Sequence, residues 1–475
     1  MELVNLAFDF GASSGRVIMS RFDGKKMELT EIHRFPNDPV WFQGRYYWDF
    51  LRLFHEMKVG LKKAAQLGVE IASIGIDTWG VDYALLDRDG HILSNPLHYR
   101  TDRGRGMLEE IEASTPIRLA HIYESTGIQY MSINSLYQLF YDTRYRTELI
   151  EQADSLLFMP DLFSYGLTGE KRNEYTIAST SQMLNARSRD WDRALLGELQ
   201  LPTGLLQNLI KPGEVWGVLS QEIQEELGLP AIPVIAVGSH DTASAVAAAP
   251  LKSEKSAYLS CGSWSLLGIE LHEPLISREA FQNNFTNEGG VADKIRFLKN
   301  INGLWIIQQL RKVWQQSDPK LGFADISKAA EEAFHVEYQI DPNHDTFVAP
   351  FNMEEAVVHY ARNELNKNPQ TMGEIARVSY NGIVNEYKKA VEDLETTRDE
   401  IVDCIHIVGG GVRDTFLCQL MADVTRRTVV AGPIEASAIG NVLMQLKALK
   451  HIESLEDGRR IVEDSFATKE YHPRA

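Results

Sequence analysis

The sequence has few cysteines and no long apolar segment. Its 475 residues include three cysteines, Cys261, Cys404 and Cys418, and no CxxC pair. We therefore expect reduced thiols and neither a disulfide framework nor a zinc site. No apolar run reaches the roughly 20 residues of a membrane-spanning helix, and the N-terminus lacks the pattern of a secretory signal. These absences predict a cytoplasmic protein without a membrane partner.

Basic clusters and the common nucleotide-binding motifs are also missing. The chain has 48 Lys and Arg residues against 66 Asp and Glu, a formal net charge of -18. Its electrostatic field would repel a phosphate backbone, so we predict no nucleic-acid partner. The GxxxxGK[ST], HExxH and GxSxG motifs do not occur. If the protein binds a nucleotide, it must do so through another kind of motif.

The sequence does contain apolar strands, glycine-bearing turns and helices in alternation, which predicts an α/β protein. Strands are predicted from Leu3 to Phe8, from Arg16 to Phe22, and over residues 71–77, 233–238, 256–270 and 404–408. Helices are predicted over residues 51–65, 304–314, 371–394 and 436–449. At roughly 150 residues per domain, the length favours two large lobes. We place the boundary between them near residues 246–255.

The first chemically interesting turn is DFGASSGR, Asp9 to Arg16. Its two glycines let backbone N–H groups approach one anion, and its two serines add hydroxyl donors. Arg16 supplies a charge suited to phosphoryl oxygens, and Asp9 is placed to hold Mg²⁺. The turn therefore fits a metal-bound polyphosphate, although an ordinary hairpin whose aspartate caps its own turn is equally consistent.

A second turn, VGSHDTAS at residues 237–244, follows the predicted strand 233–238. Asp241 at this position could accept a proton from an attacking hydroxyl, with His240 and Thr242 bound to neighbouring hydroxyls of the acceptor. The alternative is that Asp241 is a helix N-cap.

A third cluster, IVGGGVRDTF at residues 407–416, lies between a strand and a helix. Three consecutive glycines are costly in backbone entropy and indicate a closely approaching ligand. Arg413 departs from the GxGxxG dinucleotide pattern. A tight strand-to-helix turn without a ligand remains the alternative.

These three turns, in this order, resemble the phosphate, catalytic and adenosine segments of the FGGY carbohydrate kinases. Within this family, the sequence resembles the L-rhamnulose-specific members most in six segments: GIDTWGVDYALLD, LHYRTDR, GSHDTASAV, LSCGSWSLLG, FLKNINGLWIIQ and HIVGGGVRDTFLCQLMAD. The resemblance implies a two-lobed, actin/hexokinase-like (ribonuclease H-like) α/β fold with a central cleft. It also implies an N-terminal lobe at residues 1–248 for sugar, phosphate and catalytic base, and a C-terminal lobe at residues 249–475 for the adenine nucleotide.

The resemblance further assigns site residues by position. It implies ATP contacts at Ala12, Ser13, Ser14, Gly15, Arg16, Ser263, Gln308 and Gly410, and sugar contacts at Gly80, His240, Asp241, Thr242 and Asn300. Asp241 is the expected proton acceptor and Asp9 the expected Mg²⁺ ligand. Ser263 stands where the family pattern leads us to expect threonine. Cys261, two residues earlier, would lie near the phosphates and could make the protein sensitive to oxidation; the sequence leaves this open.

The resemblance implies ATP-dependent phosphorylation of the 1-hydroxyl of L-rhamnulose, by a monomer or homodimer. Within the same class, L-fuculose or L-xylulose is the alternative substrate, because one methyl group in an apolar pocket is worth only about 1–3 kcal/mol. From another class, the fold also serves actin-like filaments and chaperone ATPases. ADP release that depends on a sugar would separate the two classes.

Overall fold

The computed structural model describes residues 2–348 and 350–474, and the chain divides into two compact units. The first unit consists of Met1–Ala248, Glu270–Phe297 and Ser437–Ser465, and the second unit consists of Ala249–Ile269, Leu298–Ala436 and Phe466–Ala475. The division into lobes at 1–248 and 249–475 stays a prediction. Two segments that it gives to the second lobe, residues 270–297 and 437–465, belong to the first compact unit.

The strands are short and lie throughout the chain. In chain order they are β1 Leu3–Phe10, β2 Ser14–Phe22, β3 Met27–Pro36, β4 Val40–Phe42, β5 Arg45–Tyr47, β6 Ile71–Thr78, β7 Tyr83–Leu86, β8 Ser155–Phe158, β9 Asn173–Glu174, β10 Leu184–Asn185, β11 Asp190–Trp191, β12 Leu209–Ile210, β13 Val215–Val218, β14 Pro233–Ile235, β15 Ala257–Cys261, β16 Trp264–Leu271, β17 Thr286–Gly289, β18 Ile295–Asn302, β19 Cys404–Val408, β20 Thr428–Ala431 and β21 Lys469–Tyr471.

Helices alternate with these strands. They are α1 Phe50–Gln66, α2 Met107–Ser114, α3 Leu119–Thr126, α4 Ser135–Tyr145, α5 Thr147–Gln152, α6 Met159–Thr168, α7 Tyr175–Ser179, α8 Arg193–Glu198, α9 Gln221–Leu227, α10 Asp241–Ala248, α11 Arg278–Gln282, α12 Trp305–Trp314, α13 Phe323–Glu332, α14 Met353–Leu365, α15 Met372–Arg398, α16 Thr415–Thr425, α17 Ala436–Ala448 and α18 Leu455–Ser465. No helix among residues 2–348 and 350–474 has the length and apolarity needed to cross a membrane.

The first unit is built on a six-stranded mixed sheet in the order β13-β14-β6-β1-β2-β3. Its central strand β1 is buried along almost its whole length because apolar side chains face both sides of the sheet. β1 pairs with β2 in an antiparallel hairpin and with β6 in parallel. The parallel register places Asp9 beside Asp77, at the carboxyl ends of the two strands. Two acidic side chains therefore end neighbouring strands.

Helix α1 covers the β2 and β3 side of this sheet through an apolar face that includes Leu53, Met57 and Leu61. The Asp49 carboxylate caps the helix by accepting a hydrogen bond from the Arg52 N–H. A Cβ atom at Gly60 would come within 2.5 Å of Val17 Cγ2, so the helix lies too close to β2 for a larger residue. The predicted N-terminal hairpin and the helix after Trp48 are confirmed, but three strands that were not predicted, β3, β4 and β5, lie between them.

The second unit contains most of a mixed sheet in which β18, β16, β15, β19, β20 and β21 follow one another in space. β15, β19 and β20 are parallel, whereas β16 and β21 run antiparallel to their neighbours. The 27-residue helix α15 begins with a capping box of Thr371 and Glu374 and packs against α13 and α16. The single strand predicted over residues 256–270 is wrong: β15 and β16 form a hairpin there, whose turn is closed by a 2.9 Å bond from Gly262 N–H to the Trp264 carbonyl.

Candidate active site

The turn after β1 is held through its carbonyl oxygens. Asn37 donates from its side-chain amide to the Gly11 carbonyl over 2.8 Å and from its backbone N–H to the Ser13 carbonyl over 3.2 Å. The Gly11 N–H donates to the Ser14 carbonyl over 3.0 Å. Asn37, which lies outside the β1–β2 hairpin, thus holds the turn of that hairpin in place.

Arg16 reaches across this hairpin to form an ion pair with Asp9. The two residues are cross-strand partners in the β1–β2 register, which brings their side chains to the same face. The Asp9 carboxylate is therefore engaged by the arginine of its own hairpin. The predicted Mg²⁺ ligand and the predicted phosphate-binding cation lie in direct contact.

Gly15 is a glycine for a reason that the sequence did not reveal. A Cβ atom there would lie 2.2 Å from the ring of Phe35 on β3, closer than real Cβ contacts. The residue is therefore required by packing of the sheet. Close approach of an anion, the reason inferred from the sequence, is not needed to explain it.

Three carboxylates gather near the ends of β1, β6 and the loop before α10. Burial raises the pKa of Asp77 well above its ordinary value, and the negative charges of Asp9 and Asp241 raise it further. The Asn441 side-chain amide, which donates to Asp77 Oδ2 over 2.6 Å, opposes this rise in pKa. Asp77 Oδ1 is buried and has no hydrogen-bond partner among the described residues. This concentration of negative charge would be relieved by a cation.

Asp241 is the first residue of α10 and follows the loop that leaves β14. Burial raises the pKa of its carboxyl group, and the charge of Asp9 adds to the rise, while His240 opposes it. The Thr242 hydroxyl donates to Asp241 Oδ1 over 3.1 Å. His240 precedes the helix, and its carbonyl accepts from the Ala243 N–H over 2.7 Å. Asp241 therefore lies inside the first turn of the helix, one residue after the position expected of an N-cap.

Gly80 and His240 face each other in the first unit. A Cβ atom at position 80 would lie 3.3 Å from Thr180 Oγ1 and 3.5 Å from His240 Nε2. The same nitrogen is 3.6 Å from Asp241 Oδ1. The structure thus brings together the predicted sugar contacts Gly80 and His240 with the predicted base.

An aromatic cluster lies next to Gly80. Asp82 Oδ2 accepts hydrogen bonds from Nε1 of Trp48 over 2.6 Å and from Nε1 of Trp79 over 3.1 Å. The two indole rings are 4.0 Å apart and buried. Burial raises the pKa of Asp82 to about 6, although these hydrogen bonds act against the rise. Trp79 is accordingly a packing residue.

In the second unit, two predicted ATP contacts meet. Ser263 Oγ donates to Gln308 Oε1 over 2.7 Å, joining the β15–β16 turn to α12. Asn300, a predicted sugar contact, lies partly buried in β18 of the same unit.

The glycine cluster after β19 opens a short 3₁₀ helix at Gly410–Arg413. Gly409 has φ +84°, a conformation that side chains disfavour, and a Cβ atom at Gly411 would come within 2.4 Å of Cys261 Sγ. The same substitution at Gly410 would meet only an ordinary contact, 3.8 Å from the Cys261 carbonyl oxygen. Two of the three glycines are therefore explained by the fold, and Gly410 is not.

The surroundings of Cys261 answer the question of its oxidation sensitivity, which the sequence left open. The thiol lies beneath the glycine cluster with 1% of its surface exposed, and burial raises its pKa to about 11. Because the thiolate is the reactive form, a buried thiol with a raised pKa is inert.

Sequence reasoning missed several residues around this site, among them Asp77, Glu288, Arg296 and Asn441. Asp77 had a usable signal, because it ends an apolar strand as Asp9 does. The other three lie far along the chain from their partners and had no local signal.

Comparisons with known proteins identify the family of the chain. Residues 4–248 match the N-terminal domain, and residues 257–449 the C-terminal domain, of the FGGY family of carbohydrate kinases. The chain belongs to this family. Its two-domain α/β fold is shared with the xylulose kinase from Lactobacillus acidophilus, at TM-score 0.80 and 17% identity over 99% of this chain and 94% of that one. Plasmodium falciparum glycerol kinase with ADP gives TM-score 0.80 and 15% identity over 100% and 94%.

Curated relatives narrow the similarity to one kind of carbohydrate kinase. The chain is 40% identical to a rhamnulokinase from Bacteroides thetaiotaomicron over 98% of this chain and 95% of the relative. It is 39% identical to the Bacillus subtilis rhamnulokinase, over 99% and 96%. The rhamnulokinase of Pectobacterium atrosepticum is 41% identical, over 99% and 93%. The chain is thus an ATP-dependent sugar kinase whose full length is similar to these enzymes.

Proposed function

We propose that this protein transfers the γ-phosphoryl group of ATP to the 1-hydroxyl of L-rhamnulose, giving L-rhamnulose 1-phosphate and ADP in L-rhamnose catabolism. The near-full-length identity of about 40% to rhamnulokinases supports this substrate. The observation that carries the mechanism is the partly buried Asp241 carboxylate, which lies beside His240 and within the electrostatic reach of Asp9.

In the proposed reaction, the 1-hydroxyl oxygen forms a bond to the γ-phosphorus as the bond to the β,γ-bridging oxygen of ADP breaks. Asp241 aligns the hydroxyl and takes its proton. The raised pKa of Asp241 makes it a better proton acceptor than an exposed aspartate. We assign Gly80, His240, Thr242 and Asn300 to the sugar.

The remaining residues are assigned to the nucleotide. Ala12, Ser13, Ser14, Gly15 and Arg16 would hold the phosphates, with Ser263, Gln308 and Gly410 as further contacts. Arg16 would exchange its ion pair with Asp9 for phosphoryl oxygens, since a guanidinium binds both groups well.

The residues present also fit Mg²⁺. No group of three or more His, Cys, Asp or Glu side chains within the described ranges is arranged to hold a metal ion. Magnesium needs only one or two carboxylates when substrate phosphates complete its shell. Asp9 would hold the ion, whose charge offsets that of the phosphoryl oxygens, and the unpartnered Asp77 Oδ1 beside it favours a cation. Because the reaction consumes ATP, we propose a cytoplasmic location.

The test is ADP formation by the full chain with ATP and Mg²⁺ across a panel of ketoses and aldoses that includes L-rhamnulose, L-fuculose and L-xylulose. We expect the highest kcat/KM with L-rhamnulose and almost no ADP without sugar. A higher kcat/KM with another ketose would show that this ketose, and not L-rhamnulose, is the preferred substrate. ADP release that does not depend on any sugar would contradict the kinase function itself.

A further inference from the structure

The two ring nitrogens of His240 have opposite surroundings. Nε2 is 3.6 Å from Asp241 Oδ1. Nδ1 lies 3.0 Å from Arg296 Nη2 and 3.4 Å from Glu288 Oε2. Arg296 and Glu288 form an ion pair of 3.0 Å between themselves. The ring thus lies between the carboxylate proposed as the base and a buried pair of opposite charges.

Arg296 is fixed in this position. Its side chain is fully buried, and Nε donates to the Gly289 carbonyl over 2.9 Å. A Cβ atom at Gly290 would come 3.4 Å from Arg296 Cγ, so the neighbouring backbone lies close along the aliphatic part of the side chain. The guanidinium stays charged in proteins and offers donors only.

The contact with Arg296 determines which ring nitrogen of His240 carries the proton. Because Nη2 can only donate, the Nδ1 atom 3.0 Å away must accept, and its lone pair is then occupied. Glu288 is ionised and balances the charge of the arginine: burial alone would raise its pKa, but the positive charge of Arg296 holds the pKa below its ordinary value. A neutral ring that accepts at Nδ1 carries its hydrogen on Nε2.

We propose that Arg296 and Glu288 are positioning residues that hold His240 as the neutral tautomer with its proton on Nε2, so that the ring donates toward Asp241 or a sugar hydroxyl. This inference rests on the proposed roles of His240 and Asp241. The Nε2–H group lies beside the space that Gly80 leaves open, 3.5 Å from where a Cβ atom would be. With Nδ1 occupied and Nε2 already protonated, His240 does not compete for the hydroxyl proton, and Asp241 is the acceptor.

Nitrogen NMR on the full chain labelled with ¹⁵N-histidine tests the tautomer directly, with the His240 signals assigned by their loss in His240→Gln. We expect an unprotonated Nδ1 and a protonated Nε2 at neutral pH. In Arg296→Met we expect the proton to shift toward Nδ1, where Glu288 can accept it. A wild-type His240 protonated at Nδ1, or at both nitrogens, would overturn the proposal, and so would an unchanged tautomer in Arg296→Met.

Kinetics supply the second measurement. Losing the residue that sets a catalytic tautomer typically costs at least about tenfold in rate. We expect Arg296→Met to lower kcat by that factor with little change in the KM for ATP, and Arg296→Lys, which keeps a donor and a charge, to recover part of it.

Arg459→Met is the matched control. Arg459 forms a similar ion pair of 2.7 Å with Glu270 in the same unit and donates to the Val246 carbonyl. We expect this variant to keep the His240 tautomer and kcat. An equal fall in kcat in both variants would show a general packing effect and overturn the positioning role. Since the wild-type tautomer is read without the kinase reaction, near-normal turnover of Asp241→Asn would contradict the proposed function alone.

Discussion

The Asn441 side-chain amide donates a 2.6 Å hydrogen bond to Asp77 Oδ2 across 364 residues of chain. Both side chains are fully buried. Gln445, one turn further along α17, donates to Asn441 Oδ1 over 2.7 Å and to the Leu6 carbonyl over 3.0 Å. A late helix is thereby hydrogen-bonded to the first strand and to the carboxylate cluster of the first unit.

Asn441→Ala is expected to destabilise the protein by about 1–3 kcal/mol, because it leaves a buried carboxylate oxygen without its donor. Urea unfolding measures the loss. Asn363→Ala on the exposed face of α14 is the control and should change stability little. Similar unfolding midpoints for the two variants would show that the Asn441 contact does not stabilise the fold.

Asp241→Asn should lower kcat by about 10² or more, because an amide cannot take the hydroxyl proton. Nucleotide and sugar binding, measured by calorimetry, should change little, since the side chain keeps its size. Asp423→Asn, which breaks a partly exposed ion pair with Arg474, is the control for removing an aspartate charge and should retain turnover. Wild-type turnover in Asp241→Asn would remove the base from the mechanism.

Neighbouring glycines after β19 should respond differently to alanine. Gly411→Ala would bring its Cβ within 2.4 Å of Cys261 Sγ and should lower the melting temperature. Gly410→Ala meets only an ordinary contact at 3.8 Å, so it should fold normally and raise the KM for ATP if nucleotide approaches there. Thermal melting and ATP-dependent initial rates separate the two effects. A Gly410→Ala enzyme with the wild-type KM for ATP would take this residue out of the nucleotide site.

Asp82→Asn should change how stability depends on pH. The folded protein raises the pKa of this carboxyl from 3.8 to about 6, chiefly through burial. The folded state therefore binds more protons than the unfolded state between these values, and the contribution of Asp82 to stability falls as pH rises through that window. A shift of about 2 pKa units corresponds to roughly 3 kcal/mol.

Asparagine does not titrate in this range. The free energy of unfolding of the variant, relative to that of the wild type, should therefore rise by up to that amount between pH 4 and pH 7. Urea unfolding at the two pH values measures the change. An equal difference in stability between the two proteins at both pH values would show that Asp82 has an ordinary pKa in the fold.

The sequence predicted those parts of the fold that depend on neighbours along the chain. The β1–β2 hairpin, α1, β6 and β19 follow apolar periodicity and glycine turns, and the structure confirms them. Residues 256–270 were predicted as one strand because Cys261 and Trp264 extend the apolar pattern through the turn. Only Gly262 and Ser263 lie between these two residues, and a two-residue interruption is a weak turn signal.

The residues that surround His240 could not be predicted in this way. Glu288 and Arg296 lie about fifty residues after it, and they reach it only because the segment 270–297 folds into the first unit. Periodicity reports which face of an element is buried and carries no information on which distant element covers it. Buried charges that act through another side chain are therefore found only once the fold is known.

The course of the chain also bears on synthesis of the protein. Because residues 437–465 complete the first compact unit, the ribosome must translate this late segment before Asn441 and Gln445 can reach Asp77 and β1. Until then the nascent polypeptide exposes a surface that the mature enzyme covers with α17. The product of a gene truncated after codon 248 would lack α17, so this surface would remain exposed to solvent. Such a product would be prone to aggregation and would depend on chaperones to remain soluble.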